Sequence, residues 1–187
     1  MDPDLQQMQQ LQAGDDLALN ALMERWKSPL IAFILRYLGN REDAIDLAQE
    51  TFVRVYEHRH SFKGHAKFSS WLFSIAANLC RNQLRWRSRH PAVSLDAEDE
   101  DGEPRQHEDG GPSPADDALQ SELAHAVQRE IQSLPHDLRV AMILSVYEER
   151  SHGEIAEVLK CSPKAVESRL YRARETLREA LKKWQTT

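Results

Sequence analysis

Two helix starts written close together, at Ser151 and Ser162, restrict this chain more than any other stretch. Ser151 and Glu154 form a capping box, in which each side chain meets a free amide of the other's turn. Ser162 supplies a second N-cap, and Pro163 suits the first helical position, where its missing N–H leaves no bond unmade. A short turn after Leu159 lies between them. A short helix, a tight turn and a longer helix make a helix-turn-helix, whose second helix usually enters the DNA major groove.

The second helix sorts its residues by face. Val166, Leu170, Ala173, Leu177 and Leu181 recur at helical steps and form the buried stripe. Lys164, Ser168 and Tyr171 fall opposite, Glu167 and Arg172 flank them, and Arg169, Arg174 and Arg178 add positive charge. Such side chains suit base edges and phosphates. The pattern also fits a solvated helix closing a bundle; the two caps and the turn weigh toward DNA binding.

Glycine is scarce and long segments carry helical periodicity, so the fold class expected is all-α. A net charge of −6 argues against a protein that simply coats DNA. That charge is concentrated: Ser94 to Glu122 holds eleven acids against Arg105 alone, a local −10 that leaves about +4 on the rest. The acidic start Met1-Asp2-Pro3-Asp4 is unlike a secretory signal. No run approaches the ~20 apolar residues of a membrane span, so no membrane insertion is expected and a cytoplasmic setting fits. Cys80 and Cys161, without a CxxC, suggest buried or incidental thiols.

Gln12 to Gly39 holds the first long helical signal, with Leu17, Ala21, Leu22, Trp26, Leu30, Ile34, Tyr37 and Leu38 at helical spacing. Gly14-Asp15 is a start signal, Pro29 kinks or divides the stretch, and Gly39-Asn40 stops it. Arg41 to Arg59 is the next helix, with Ile45, Ala48, Phe52 and Val55 inward and Asp46, Gln49, Glu50 and Val53 on another face. By periodicity that second face suits plain solvent contact better than a docking surface for a basic helix. Ser61 to Ser70 is a loop carrying aromatics and lysines. Trp71 to Arg89 is a helix with Leu72, Ile75, Ala76 and Leu79 inward, and Arg81, Arg85, Arg87 and Arg89 around Trp86 at its far end. Aromatics beside cations suit single-stranded nucleic acid; equally, Phe62, Phe68 and Trp71 suit a core.

Pro91 to Asp117 is rich in Asp, Glu, Gly and Pro and nearly devoid of large apolar residues, so it is expected to be a disordered acidic linker. The expected division is therefore 1–90, 91–117 and 118–187, two helical domains and a tether. Beyond it, Leu119, Leu123, Ala126, Val127 and Ile131 form one helix ended by Leu134-Pro135, and Leu138, Ala141, Met142, Ile143, Val146 and Tyr147 another, completing a four-helix domain.

In this order the parts resemble a bacterial RNA polymerase sigma factor of the extracytoplasmic-function type. Asp43-Ala44-Ile45-Asp46-Leu47-Ala48-Gln49-Glu50-Thr51-Phe52 is similar to that family's core-binding helix. Phe62-Lys63-Gly64 and Phe68 to Asn78 are similar to its −10 loop and following helix. Leu134-Pro135, Glu154-Ile155-Ala156 and Val166 to Arg174 are similar to its −35 reading domain. The resemblance implies that Ile45, Asp46, Gln49, Glu50 and Tyr56 meet the β′ clamp helices of core polymerase. It implies a second polymerase contact at the β flap, and an anti-sigma factor that would wedge between the domains. It further implies that Phe62, Lys63, His65, Lys67, Phe68, Trp71 and Asn78 capture an unstacked base of the −10 strand. Lys164, Glu167, Ser168, Arg169, Tyr171, Arg172 and Arg174 would serve the −35 groove. The linker would thread toward the polymerase's positively charged channels. The chain departs from the family pattern at Lys160, where glycine is frequent, at Lys164-Ala165, where Gly-Thr is common, and at Glu167, where many members carry a base. A left-handed Lys160 costs on the order of 1 kcal/mol, so a differently shaped turn is expected there.

Two other functions fit parts of the sequence. A stand-alone repressor or activator would use the same helix-turn-helix, but such proteins dimerise, and no heptad seam is present. An enzyme built on His58, His60 and His65 lacks a defined ligand set, a phosphate loop or a nucleophile motif. No catalysis, metal or cofactor is expected.

Overall fold

A computed structural model of the chain describes residues 2–90 and 114–182. Its described regular structure is eight α-helices and one 3-10 turn, with no strand among the described residues. They are α1 (Pro3–Gln12), α2 (Leu17–Leu38), α3 (Arg41–Glu57), the 3-10 turn Arg59–Ser61, α4 (Phe68–Arg89), α5 (Pro114–Ser133), α6 (His136–Val146), α7 (His152–Leu159) and α8 (Pro163–Ala180). The acidic linker reading falls, over 91–113, outside the described residues. Helix α5 begins at Pro114, ahead of Ala118 where the apolar pattern resumes, because proline is admitted at a helix's first position.

Helix α1 was not expected. Asp2 caps it by accepting from the Asp4 N–H at 3.0 Å, and Pro3 opens it. Met8 and Leu11 are fully buried. Gln12 therefore ends a helix instead of beginning one, and Gly14, at φ +99°, turns the chain into α2. The glutamines around Met8 and Leu11 dilute the apolar period that would have exposed α1.

Pro29 lies inside α2 without dividing it. Its missing N–H removes one helical bond, but Leu22 on one side and Leu30, Phe33 and Ile34 on the other are wholly buried and hold both halves of the helix to one core. Gly39 ends α2 in the left-handed region at φ +80°, and Asn40 then caps α3, its Oδ1 accepting from the Asp43 N–H at 2.9 Å. The inward face of α3 is Ala44, Ala48, Thr51, Phe52 and Val55, with Ile45 half-buried at its edge. In α4 the buried row is Leu72, Phe73, Ala76, Ala77 and Cys80, so Ile75 and Leu79 flank it instead of leading it. Trp26, Phe33, Phe68 and Phe73 interlock at centroid separations of 5.2–6.4 Å, mostly edge to face, an arrangement worth about 1 kcal/mol per pair beyond the area it buries.

In the second half, Ile155, Ala156 and Val158 of α7 and Val166, Leu170 and Ala173 of α8 close on α6. Val146 and Tyr147, expected on the apolar face, are exposed: Val146 is the last residue of α6 and Tyr147 its C-cap. The two halves also share one apolar core, which runs from Met8 in α1 to Leu170 in α8.

Candidate nucleic-acid interface

The helix-turn-helix forms as its caps dictate. Ser151 Oγ accepts from the Glu154 N–H at 3.3 Å, and Glu154 Oε2 accepts from the Ser151 N–H at 3.0 Å and from its hydroxyl at 2.7 Å. Ser162 Oγ accepts from the Ala165 N–H at 3.2 Å. The expected change of turn shape does not occur. Lys160 takes the left-handed conformation at φ +50°, ψ +51°, and the Cys161 N–H closes the turn on the Ala156 carbonyl at 3.0 Å. Packing of Ile155, Val158 and Val166 on either side imposes a backbone that lysine alone disfavours.

From this platform α8 exposes Lys164, Glu167, Ser168, Tyr171, Arg172 and Arg174, with Tyr171 65% exposed. Arg169 is different: it turns toward α6 and donates to Asp137 at 2.8 Å. The exposed group mixes cations with groups that both donate and accept, as major-groove reading needs.

The loop between the 3-10 turn and α4 separates its residues into two layers. Phe62 and Phe68 are 7% and 1% exposed, and they pack with each other edge to face and with Trp71 at a tilt, as a hydrophobic floor. They support the loop and do not offer a ring face to solvent. Above them Lys63, Gly64, His65 and Lys67 are exposed. Asn78, one turn into α4 beyond Ser74, is exposed; it donates to the Ser74 carbonyl at 2.9 Å and accepts from Arg81 at 3.0 Å. Farther along α4, Trp86 stacks on His90 at 4.8 Å between exposed Arg85 and Arg89, while Arg87 pairs with Asp43. On α3, Asp46, Gln49 and Val53 are exposed, Ile45 and Tyr56 are half-buried, and Glu50 is held by Arg54 at 2.8 Å. Among the described residues no cluster of three or more His, Cys, Asp and Glu side chains could hold a metal ion.

Family comparison matches both halves. Sigma-70 region 2 matches residues 22–90, and sigma-70 region 4 matches residues 124–177. The chain is 35% identical over 180 residues to the RNA polymerase sigma-H factor of Pseudomonas aeruginosa, covering 95% of this chain and 93% of that one. This chain belongs to the extracytoplasmic-function sigma factors of the sigma-70 family. The ECF RNA polymerase sigma-E factor of Escherichia coli is 36% identical over 172 residues, 91% of this chain and 90% of its own. In fold, the sigma factor is similar to CnrH, solved in complex with the cytosolic domain of CnrY, at a TM-score of 0.71 and 26% identity over 97% of this chain and 98% of that one. Two sigma regions in one chain favour promoter-directed initiation over a stand-alone repressor.

In this sigma factor the two halves touch. Tyr37 Oη and His136 Nδ1 are 2.8 Å apart, Gln128 donates to the Arg36 carbonyl at 2.7 Å, and Arg36 lies 4.4 Å over the Tyr147 ring. Buried Arg139 donates to the carbonyls of Leu134 (2.9 and 3.2 Å) and Tyr37 (3.1 Å) and covers the Tyr37 ring. Arg150 sits over both Trp26 and Phe73. Lys67 of the loop donates to Glu154 of the capping box at 3.0 Å. Burial raises the Glu154 carboxyl, but the Ser151 hydroxyl and amide and the Lys67 ammonium outweigh it and bring the pKa down to about 2. Burial raises Tyr37 to about 12 and lowers His136 and Arg139. Asn78 and Arg81 line a crevice whose other wall is His136, Asp137, Leu159 and Lys160. Sequence reasoning missed Tyr37, His136, Arg139 and Arg150, because the partners they bridge are far away along the chain.

Proposed function

We propose a division of labour among the three surfaces of this sigma factor. The face of α3 bearing Ile45, Asp46, Gln49, Glu50 and Tyr56 docks on the β′ clamp helices of core polymerase, and the second half meets the β flap. Lys63, His65, Lys67, Trp71 and Asn78, resting on Phe62 and Phe68, capture an extruded base of the −10 strand. Extrusion costs a few kcal/mol, so a fitted pocket both selects sequence and favours the melted duplex. Lys164, Glu167, Ser168, Tyr171, Arg172 and Arg174 read the −35 groove, with Arg169 fixing α8 to α6. Glu167 is suited to accept from a cytosine amino group. The chain supplies no catalysis; polymerase does the chemistry, in the cytoplasm.

The observation that carries this reading is the capped helix α8, which presents Lys164, Glu167, Ser168, Tyr171, Arg172 and Arg174 outward while its apolar row is locked to α6 and α7. The contact of Lys67 with Glu154, and the crevice wall facing Asn78, further mean that the described arrangement is closed. It opens when core polymerase is bound. An anti-sigma factor holds the halves apart from polymerase; CnrH, similar in fold, was solved with a bound partner, the cytosolic domain of CnrY. Run-off transcription tests the reading: purified core polymerase with this chain should initiate at a defined subset of a promoter library that core alone ignores. Failure to bind core or to redirect initiation would refute it.

A further inference from the structure

Gln12, at the last position of α1, donates to two backbone carbonyls remote in sequence, Arg59 at 2.7 Å and Phe62 at 2.8 Å. Two carbonyl acceptors can be met only by the carboxamide NH₂, which fixes the orientation of the side chain. The two carbonyls bracket the 3-10 turn, so one side chain ties both ends of the turn from which the Lys63–Lys67 segment departs. A second contact lies beside it. Gly64 is left-handed at φ +71°, and a Cβ there would stand 3.0 Å from Leu5 Cδ1 of α1. Helix α1 is itself anchored. Met8 and Leu11 are fully buried, and Asp4 accepts from Trp26 Nε1 at 3.0 Å and pairs with Arg25. The loop thus lies on a fixed helix through one polar clamp and one close apolar approach.

We infer that Gln12 is a positioning residue for −10 recognition, and that α1 belongs to the strand-reading apparatus. Gln12 acts through the loop: its donors are both spent on the turn, and its effect is to hold Lys63, His65 and Lys67 in one pose over the Phe62–Phe68 floor. Without the clamp the loop samples other poses, and base capture must then order it. This inference rests on the reading of the loop as the −10 element, and the test separates the two.

The test uses holoenzyme assembled from core polymerase and full-length chain. The probe is a fluorescent single-stranded oligonucleotide carrying the non-template −10 segment of a promoter chosen from the run-off library. Gln12→Leu should weaken oligonucleotide binding about tenfold while core affinity and −35 duplex binding stay within about twofold of wild type. Gln12→Lys, which retains donors at similar reach, should recover most of that loss. Wild-type oligonucleotide binding by Gln12→Leu, with Asn78→Ala and Lys63→Ala impaired, overturns the inference and leaves the loop reading standing. Wild-type binding by all three overturns both. A parallel loss of core affinity in Gln12→Leu shows general destabilisation and also overturns the inference.

Discussion

Lys160 sits where the backbone calls for glycine. Its φ of +50° places Cβ against the following carbonyl, and only the packed helices on each side keep it there. Lys160→Gly should therefore stabilise the chain by up to about 1 kcal/mol, seen as a higher urea midpoint with an unchanged slope. Glu154 shows the opposite economy of means: one carboxylate caps α7, takes the Ser151 hydroxyl and pairs with Lys67. Its folded pKa of about 2 lies below the ordinary 4.5, so the unfolded chain takes up the proton first. The stability it contributes is complete above about 4.5 and is lost as pH falls through about 2. Urea melts across that range should show the deficit of Glu154→Gln relative to wild type shrinking as the pH drops; a deficit constant with pH would contradict the assignment.

At the scale of elements, the helices divide into those whose outward faces are quiet and those whose faces are set aside. Helix α3 buries Ala44, Ala48, Thr51, Phe52 and Val55, which leaves Asp46 and Gln49 without a structural task on the far side. Asp46→Arg should accordingly leave the thermal midpoint nearly unmoved, as surface substitutions away from special features stay within about 0.5 kcal/mol, while lowering affinity for core polymerase by at least about tenfold. Titration of labelled core with the variant, beside a melting curve, distinguishes this from misfolding. The loop before α4 shows the same separation within a few residues: aromatic side chains turn down, lysines and His65 turn up. Helix α1 supports that arrangement from below through Leu5 and Gln12.

At the scale of the molecule, His136 is the titratable group in the contact between halves whose burial favours its neutral form. Tyr37 from α2, Arg81 from α4, and Asp137 and Arg139 from α6 are polar groups around it, Asn78 and Lys160 share its crevice, and burial lowers its pKa below 6.5. A lowered histidine pKa means the contact is strongest above about 6.5 and weakens as pH falls toward the folded value. Amide hydrogen exchange at the α2–α6 junction should rise on acidification in wild type and lose that pH dependence in His136→Gln; identical profiles would refute the role. Much of this architecture was legible along the chain. Ser151 with Glu154, Ser162 with Pro163, and Gly39 with Asn40 mark helix ends by bonds that span three or four residues, so local sequence determines them. The apolar stripe of α8 and the family motifs are local in the same sense. Three things were not. Helix α1 hid among glutamines because its burial comes from the helix it meets, not from a strong period of its own. Phe62 and Phe68, which the sequence left open between core and base stacking, went to the floor of the loop, and Arg169 went to Asp137, because which face of an aromatic or a cation is covered depends on the neighbour that arrives. Closure of the halves rests on Tyr37 with His136, Arg139 with the Tyr37 carbonyl, and Lys67 with Glu154. Local sequence set the ends of the helices that carry their own caps; only tertiary packing, which joins residues with no periodic relation to one another, decided what the helices cover.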